Sequence, residues 1–178
     1  MGRVASLCAV VAMAVSGAMA ASAQKPTPGK AFDLNHMRGT WYEIARYPGK
    51  AQRDCARNDF QLIAFGDGRN TVTFVDSCTG KHGDMDMKSS RATQVKSGEA
   101  KLKTRRWLIF SKSYLVLGAG QDDAWMVLAN ANHKELWVLS KTRELAPDAL
   151  AEAEAKATAA GYSTAKLIMV PQDPPPTA

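Results

Sequence analysis

The sequence predicts an all-β fold: an eight-stranded antiparallel up-and-down barrel, with one C-terminal α-helix packed outside it and a short terminal strand. Three observations carry that expectation. Short runs rich in β-branched and aromatic residues recur along the chain, separated by Gly, Asn, Asp and Pro, which is the rhythm of strands joined by turns. Eight such runs precede a change of pattern at residues 147–160, where Ala, Glu and Lys dominate and the composition becomes helical. Eight antiparallel strands can close on themselves, which removes unpaired sheet edges. The chain of 178 residues has the length of a single domain.

Residues 1–23 read as a cleaved export signal. Arg3 supplies the positive region, Leu7 to Val15 the apolar core, and Ala18-Met19-Ala20 or Ala21-Ser22-Ala23 a small-x-small cleavage site. The apolar run is too short for a membrane span, and no stop-transfer charges follow it. A periplasmic or secreted protein is expected. Cys8 lies inside the apolar core with too few residues ahead of it for a lipoprotein signal, so an outer-membrane lipoprotein is not expected.

Residues 24–38 form an N-terminal arm, Pro/Gly-rich at first, then one helical turn over Asp33 to Arg38. The barrel is expected over residues 39–170. Its first strand is Gly39-Thr40-Trp41-Tyr42-Glu43-Ile44-Ala45-Arg46, broken by Pro48-Gly49. Alternation puts Trp41, Glu43 and Ala45 on one face and Tyr42, Ile44 and Arg46 on the other. The second strand runs near Asn58 to Phe65 and ends in Gly66-Asp67-Gly68, a hairpin turn. The third covers Asn70 to Cys78. Asp84-Met85-Asp86-Met87 opens the fourth, which continues through Val95; Ser97-Gly98 leads into the fifth, Lys101 to Thr104. Trp107 to Phe110 is an apolar patch, readable as core or as a greasy rim, ahead of the sixth strand at Tyr114 to Gly118. The seventh is Trp125 to Ala129 and the eighth Glu135 to Lys141. In the helix, Pro147 suits the first position and Gly161 the stop. Leu150, Ala153 and Ala157 make a narrow stripe of mostly small residues, suited to close packing on a sheet. Ala165 to Val170 is the terminal strand, and residues 171–178 are a Pro-rich tail.

After signal removal two cysteines remain, Cys55 and Cys78. In an oxidising compartment an even pair is most simply a disulfide, here closing a loop of about 22 residues worth roughly 3 kcal/mol. His36, His82 and His133 are scattered without metal-site spacing, so no metal is expected. No haem is expected either, since no histidine falls at an inward position. The net charge of +6 falls by one with Arg3, and suits anionic surfaces or ligands as well as plain solubility. No basic cluster carries interleaved stacking aromatics, which argues against nucleic acid. No Gly-x-Ser-x-Gly elbow is present, and Gly118-Ala119-Gly120 is a lone Gly-x-Gly, so no catalytic residue and no cofactor is assigned.

An eight-stranded barrel is either filled by side chains or holds one small ligand. The expected inward positions include Phe74, Met85, Met87, Tyr114 and Trp137, with Glu43 and Asp76 among them. A polar minority in an apolar cup orients an amphiphile, yet the same residues also suit a filled barrel. In that second case the chain is a protein-interaction module presenting the Trp107–Phe110 patch and the tail. A barrel enzyme is the third alternative.

Gly39-x-Trp41, Cys55 followed by Phe60-x-Leu62, Tyr114-Leu115-Val116-Leu117 and Leu136-Trp137-Val138-Leu139-Ser140-Lys141-Thr142 occur in an order that resembles the lipocalin family, in particular its bacterial and apolipoprotein-D-like branch. The resemblance spans nearly all of the mature chain. It implies binding, storage or transport of a small hydrophobic ligand, such as a fatty acid, lysophospholipid or similar lipid, in envelope maintenance or stress. It adds Phe60, Leu62, Val116 and Leu139 to the candidate ligand-binding set of Glu43, Phe74, Met85, Met87, Tyr114 and Trp137. It further implies a barrel base built on Gly39, Trp41 and the cation after the eighth strand. The family has Arg where this chain has Lys141, which can place a cation over Trp41 but lacks the planar fork that bonds to carbonyls. The family's Asp-Tyr motif appears as Asp122-Asp123. Peripheral membrane contact is compatible with this reading; the oligomeric state is open, with a monomer favoured.

Overall fold

Gly39–Arg46 forms β1, the strand on which the sheet closes. In the computed structural model, residues 32–49, 55–63, 70–80, 82–106 and 110–172 are described. For 55–63, 105, 106 and 110 the description covers the backbone alone. The export signal, the Gly66-Asp67-Gly68 turn, Trp107 to Ile109 and residues 173–178 of the tail lie outside the described residues.

After β1 come β2 (Cys55–Ile63), β3 (Thr71–Gly80), β4 (Met85–Gln94), β5 (Lys101–Arg106), β6 (Phe110–Ala119), β7 (Trp125–Asn130) and β8 (Leu136–Ser140). Each pairs antiparallel with the next. β1 meets β2 through Gly39 to Tyr42 and β8 through Tyr42 to Arg46, so the run of eight strands joins into a ring. Where the sequence suggests a strand over Ala165 to Val170, the chain instead makes a 3₁₀ turn at Thr164–Lys166 and a two-residue β9, Ile168–Met169, which extends the sheet beside β1.

Two apolar clusters lie on opposite faces of the sheet. Inside, Val72, Phe74, Leu102, Val116, Met126, Leu128 and Leu139 pack with Trp41, and Leu34 and Met37 of the N-terminal 3₁₀ turn join them. Outside, α1 (Pro147–Ala159) presses Ala153 and Ala157 against Leu115, Leu117, Val127 and Ala129. The small residues let the helix axis approach closely, and Gly118 helps: a Cβ there would lie 2.8 Å from Cγ of Lys156.

Two expectations about facing are corrected. The pairs Val72↔Ala92 and Phe74↔Ser90 put the even-numbered positions of β4 inside. Met85 and Met87 therefore fall on the outer face, 65% and 66% exposed. Alternation shows that they share a face; only the register with β3 decides which. In β1, pairing with β8 shifts between Glu43↔Leu139 and Ala45↔Val138. The extra residue reverses the alternation beyond it, so Ala45 joins the outer cluster and Arg46, opposite Trp137, turns inward.

Candidate functional site

The inner cluster stops short of one end of the barrel. Above it lies a cavity of about 360 Å³, walled by Tyr47 after β1, Asp76 on β3, Lys112 and Tyr114 on β6, and Glu135 and Trp137 at β8. The antiparallel register brings the inward residues Asp76, Tyr114 and Trp137 together there, while Tyr47 belongs to the outer cluster and borders the cavity. Tyr114 stands between Phe74 and Trp137, with ring centroids 5.9 and 6.0 Å apart and planes tilted by 56° and 49°. Tilted aromatic pairs at such distances make a firm wall.

The polar groups are mostly paired. Glu43 is fully buried, and its Oε2 lies 3.2 Å from Nε of Arg46, a pairing made by the β1 bulge. Lys112 Nζ lies 2.7 Å from Oε1 of Glu135. Asp86 and Lys88, at the open end of β4, sit 2.7 Å apart. Asp76 differs: its Oδ1 is buried and accepts no hydrogen bond among the described residues. Burial pushes its pKa up, while Lys88 and Arg46 pull it down and Asp86 adds to the rise. The Tyr114 phenol is pushed up to about 12 by burial, reinforced by Glu135 and Asp76, and so stays neutral at physiological pH.

Of the candidate ligand residues, Tyr114 and Trp137 line the cavity and Phe74 backs Tyr114. Val116 and Leu139 belong to the packed layer beneath. Glu43 is held in its ion pair. Phe60 and Leu62 take inward register positions opposite Asp76 and Phe74, but their side chains lie outside the described residues. Met85 and Met87 are outside the cup. Asp76 has the inward place that alternation gives it, without having been counted as a candidate. Arg46 was hidden by the bulge. Lys112 and Glu135, 23 residues apart, meet only through the β6–β7–β8 register, which no local motif encodes.

Gly39, Trp41 and Lys141, expected at the barrel base, come together at the opposite end. Lys141 Nζ lies 3.8 Å from the Trp41 ring centroid and donates to the carbonyl of Arg38 at 2.5 Å. Trp41 Nε1 donates to Met37 O at 2.8 Å. Gly39 adopts φ of +100°, in the region that favours glycine, beside Lys141. Desolvation lowers the Lys141 pKa, opposed by Asp123. Asp122 and Asp123 both adopt positive φ in the preceding turn.

Among the described residues no cluster of His, Cys, Asp or Glu could hold a metal, and no helix is long and apolar enough to cross a membrane. A family model described as a lipocalin-like domain matches residues 32–172. Temperature-induced lipocalin-1 of Arabidopsis thaliana is 28% identical over 156 residues, 83% of each chain. The outer membrane lipoprotein Blc of Escherichia coli K12 is 26% identical over 176 residues, covering 93% of this chain and 97% of that one. Among solved structures, insecticyanin from the tobacco hornworm Manduca sexta superposes with a TM-score of 0.65 at 16% identity, covering 84% of this chain and 86% of that one, a likeness of fold.

Proposed function

This chain belongs to the lipocalin-like family, whose members bind small hydrophobic ligands, and from that premise we propose that it stores or transports a lipid in the cell envelope. A fatty acid, a lysophospholipid or a similar amphiphile is the cargo on this reading. The observation that carries it is the cavity of about 360 Å³ above a packed floor, within the size range of ligand pockets and walled by aromatic rings. Affinity would come from apolar burial, at roughly 25 cal/mol per Å² removed from water. Tyr114 and Trp137 form the wall and Phe74 stands behind, while Val116 and Leu139 set the depth. A role in stress is supported by the name of the plant relative, temperature-induced lipocalin-1. The family, whose members bind small hydrophobic ligands, speaks for binding rather than catalysis.

Export to the periplasm belongs to the same proposal. The bacterial relatives bear the name outer membrane lipoprotein, which weighs toward a membrane attachment that the position of Cys8 argues against. The mass of the mature N terminus separates the two. A Cys55–Cys78 disulfide is also proposed. Its support is that β2 and β3 are paired, with Cys55 opposite Gly80, two residues along β3 from Cys78.

Native mass spectrometry of periplasmically expressed protein, followed by solvent extraction, tests the carrier reading. The expected result is an adduct that releases a lipid. An apo mass, together with failure to bind a panel of lipid probes, would overturn it and favour an interaction module.

A further inference from the structure

The proposal that the cup carries an amphiphile leaves open which polar end it accepts, and the lining charges bear on that choice. Cations and anions around the cavity come largely in contact pairs: Arg46 with Glu43, Lys112 with Glu135, and Lys88 with Asp86 farther out on β4. Among the described residues, two lining charges stand outside those pairs. Lys134 is exposed at the rim, where water screens it. Asp76, on which Lys88 and Arg46 act from nearby without hydrogen-bonding this atom, is sheltered in the wall with one carboxylate oxygen that accepts no hydrogen bond among the described residues. The rings of Tyr114 and Trp137 line the same space. A desolvated carboxylate beside aromatic rings attracts a cation twice over, through its charge and through the rings' quadrupoles. A carboxylate ligand would meet repulsion from Asp76 and a wall of π-faces.

We propose that the cup selects an amphiphile whose polar end is a cationic nitrogen, an ammonium or quaternary ammonium group seated by Asp76 against Tyr114 and Trp137. This rests on the carrier reading above and narrows it away from free fatty acids. The chain's overall positive charge does not oppose it, because surface lysines act over a Debye length of about 8 Å at physiological salt while Asp76 acts by contact.

The test uses the mature protein and displacement of the neutral fluorophore N-phenyl-1-naphthylamine below micelle concentrations. Dodecyltrimethylammonium, dodecanol and laurate share chain length and differ in the head. The ammonium is expected to bind about tenfold more tightly than laurate, a difference within the range of a desolvated cation–π contact reinforced by an ion pair. In Asp76→Asn that preference falls to near unity while N-phenyl-1-naphthylamine still binds, which shows the cup intact. Trp137→Leu weakens the ammonium more than dodecanol. Tetramethylammonium alone displaces nothing at the same concentration; equal displacement would overturn the requirement for an attached chain. Laurate binding as tightly as the ammonium, or a preference unchanged in Asp76→Asn, overturns the head-group assignment while leaving the carrier reading in place. Failure of all three dodecyl probes and of N-phenyl-1-naphthylamine overturns both.

Discussion

At the scale of single residues, the burial of Asp76 carries a cost in stability. Burial raises its pKa in the folded chain above the ordinary value of 3.8, so the ionised form is less at home in the protein than in water. The native state gains relative stability while Asp76 is protonated, and loses it as pH rises through the raised pKa. Asp76→Asn should therefore melt higher than the parent at pH 7, with about 2–4 °C gained for each kcal/mol relieved in a chain of this size. The gain should vanish below pH 3.8, where the aspartate is neutral in both states. Circular-dichroism melts across pH 3 to 8 check this; a variant that melts lower at pH 7 would mean that the ionised carboxylate supports the fold. Lys141 is also desolvated, which lowers its pKa, but unlike Asp76 it makes direct contacts with its charge. Its ammonium covers Trp41 and holds the Arg38 carbonyl, so Lys141→Met, which keeps the stem, should cost about 1–2 kcal/mol in urea unfolding. Lys141→Arg should restore that loss.

At the scale of elements, what was legible followed from periodicity, and what was not followed from register. β7 reads as Trp-Met-Val-Leu-Ala-Asn between turns, and α1 begins at Pro147, because composition and punctuation are local signals. The side on which Met85 and Met87 fall, the reversal at Glu43/Ala45 and the meeting of Lys112 with Glu135 depend on which residue of a neighbouring strand stands opposite. No local pattern carries that information. The three strongest aromatic candidates, Phe74, Tyr114 and Trp137, were readable from alternation; the charges that give the cup its polarity were only partly so. The helix offers a test of packing on the far side of the sheet. At Gly118 the register between β6 and β7 shifts, and a Cβ would crowd the stem of Lys156. Gly118→Val should push α1 off its seat and cost roughly 1–3 kcal/mol, read by urea denaturation. An unaffected midpoint would mean that the helix slides freely.

At the scale of the whole molecule, the barrel has two unlike ends, and that division makes a ligand act as a stabiliser. The closed end is dry: Trp41, Met37, Leu102, Met126, Leu128 and Leu139 are each at most 2% exposed. At the open end, paired charges and aromatic rings surround a cavity of about 360 Å³, so the native state gains there only what a guest supplies. A ligand at a hundred times its Kd adds about 2.7 kcal/mol if the unfolded chain does not bind it. For a chain of this length that raises Tm by about 5–10 °C. The increment should be the same in Gly118→Val as in the parent, although the variant starts from a lower Tm, because the helix and the cup lie on opposite faces of the sheet and distant perturbations add. Scanning calorimetry of both proteins with and without dodecyltrimethylammonium measures it. A smaller increment in the variant would mean that the helix side of the sheet helps to shape the cup, and that inner and outer clusters are one cooperative unit.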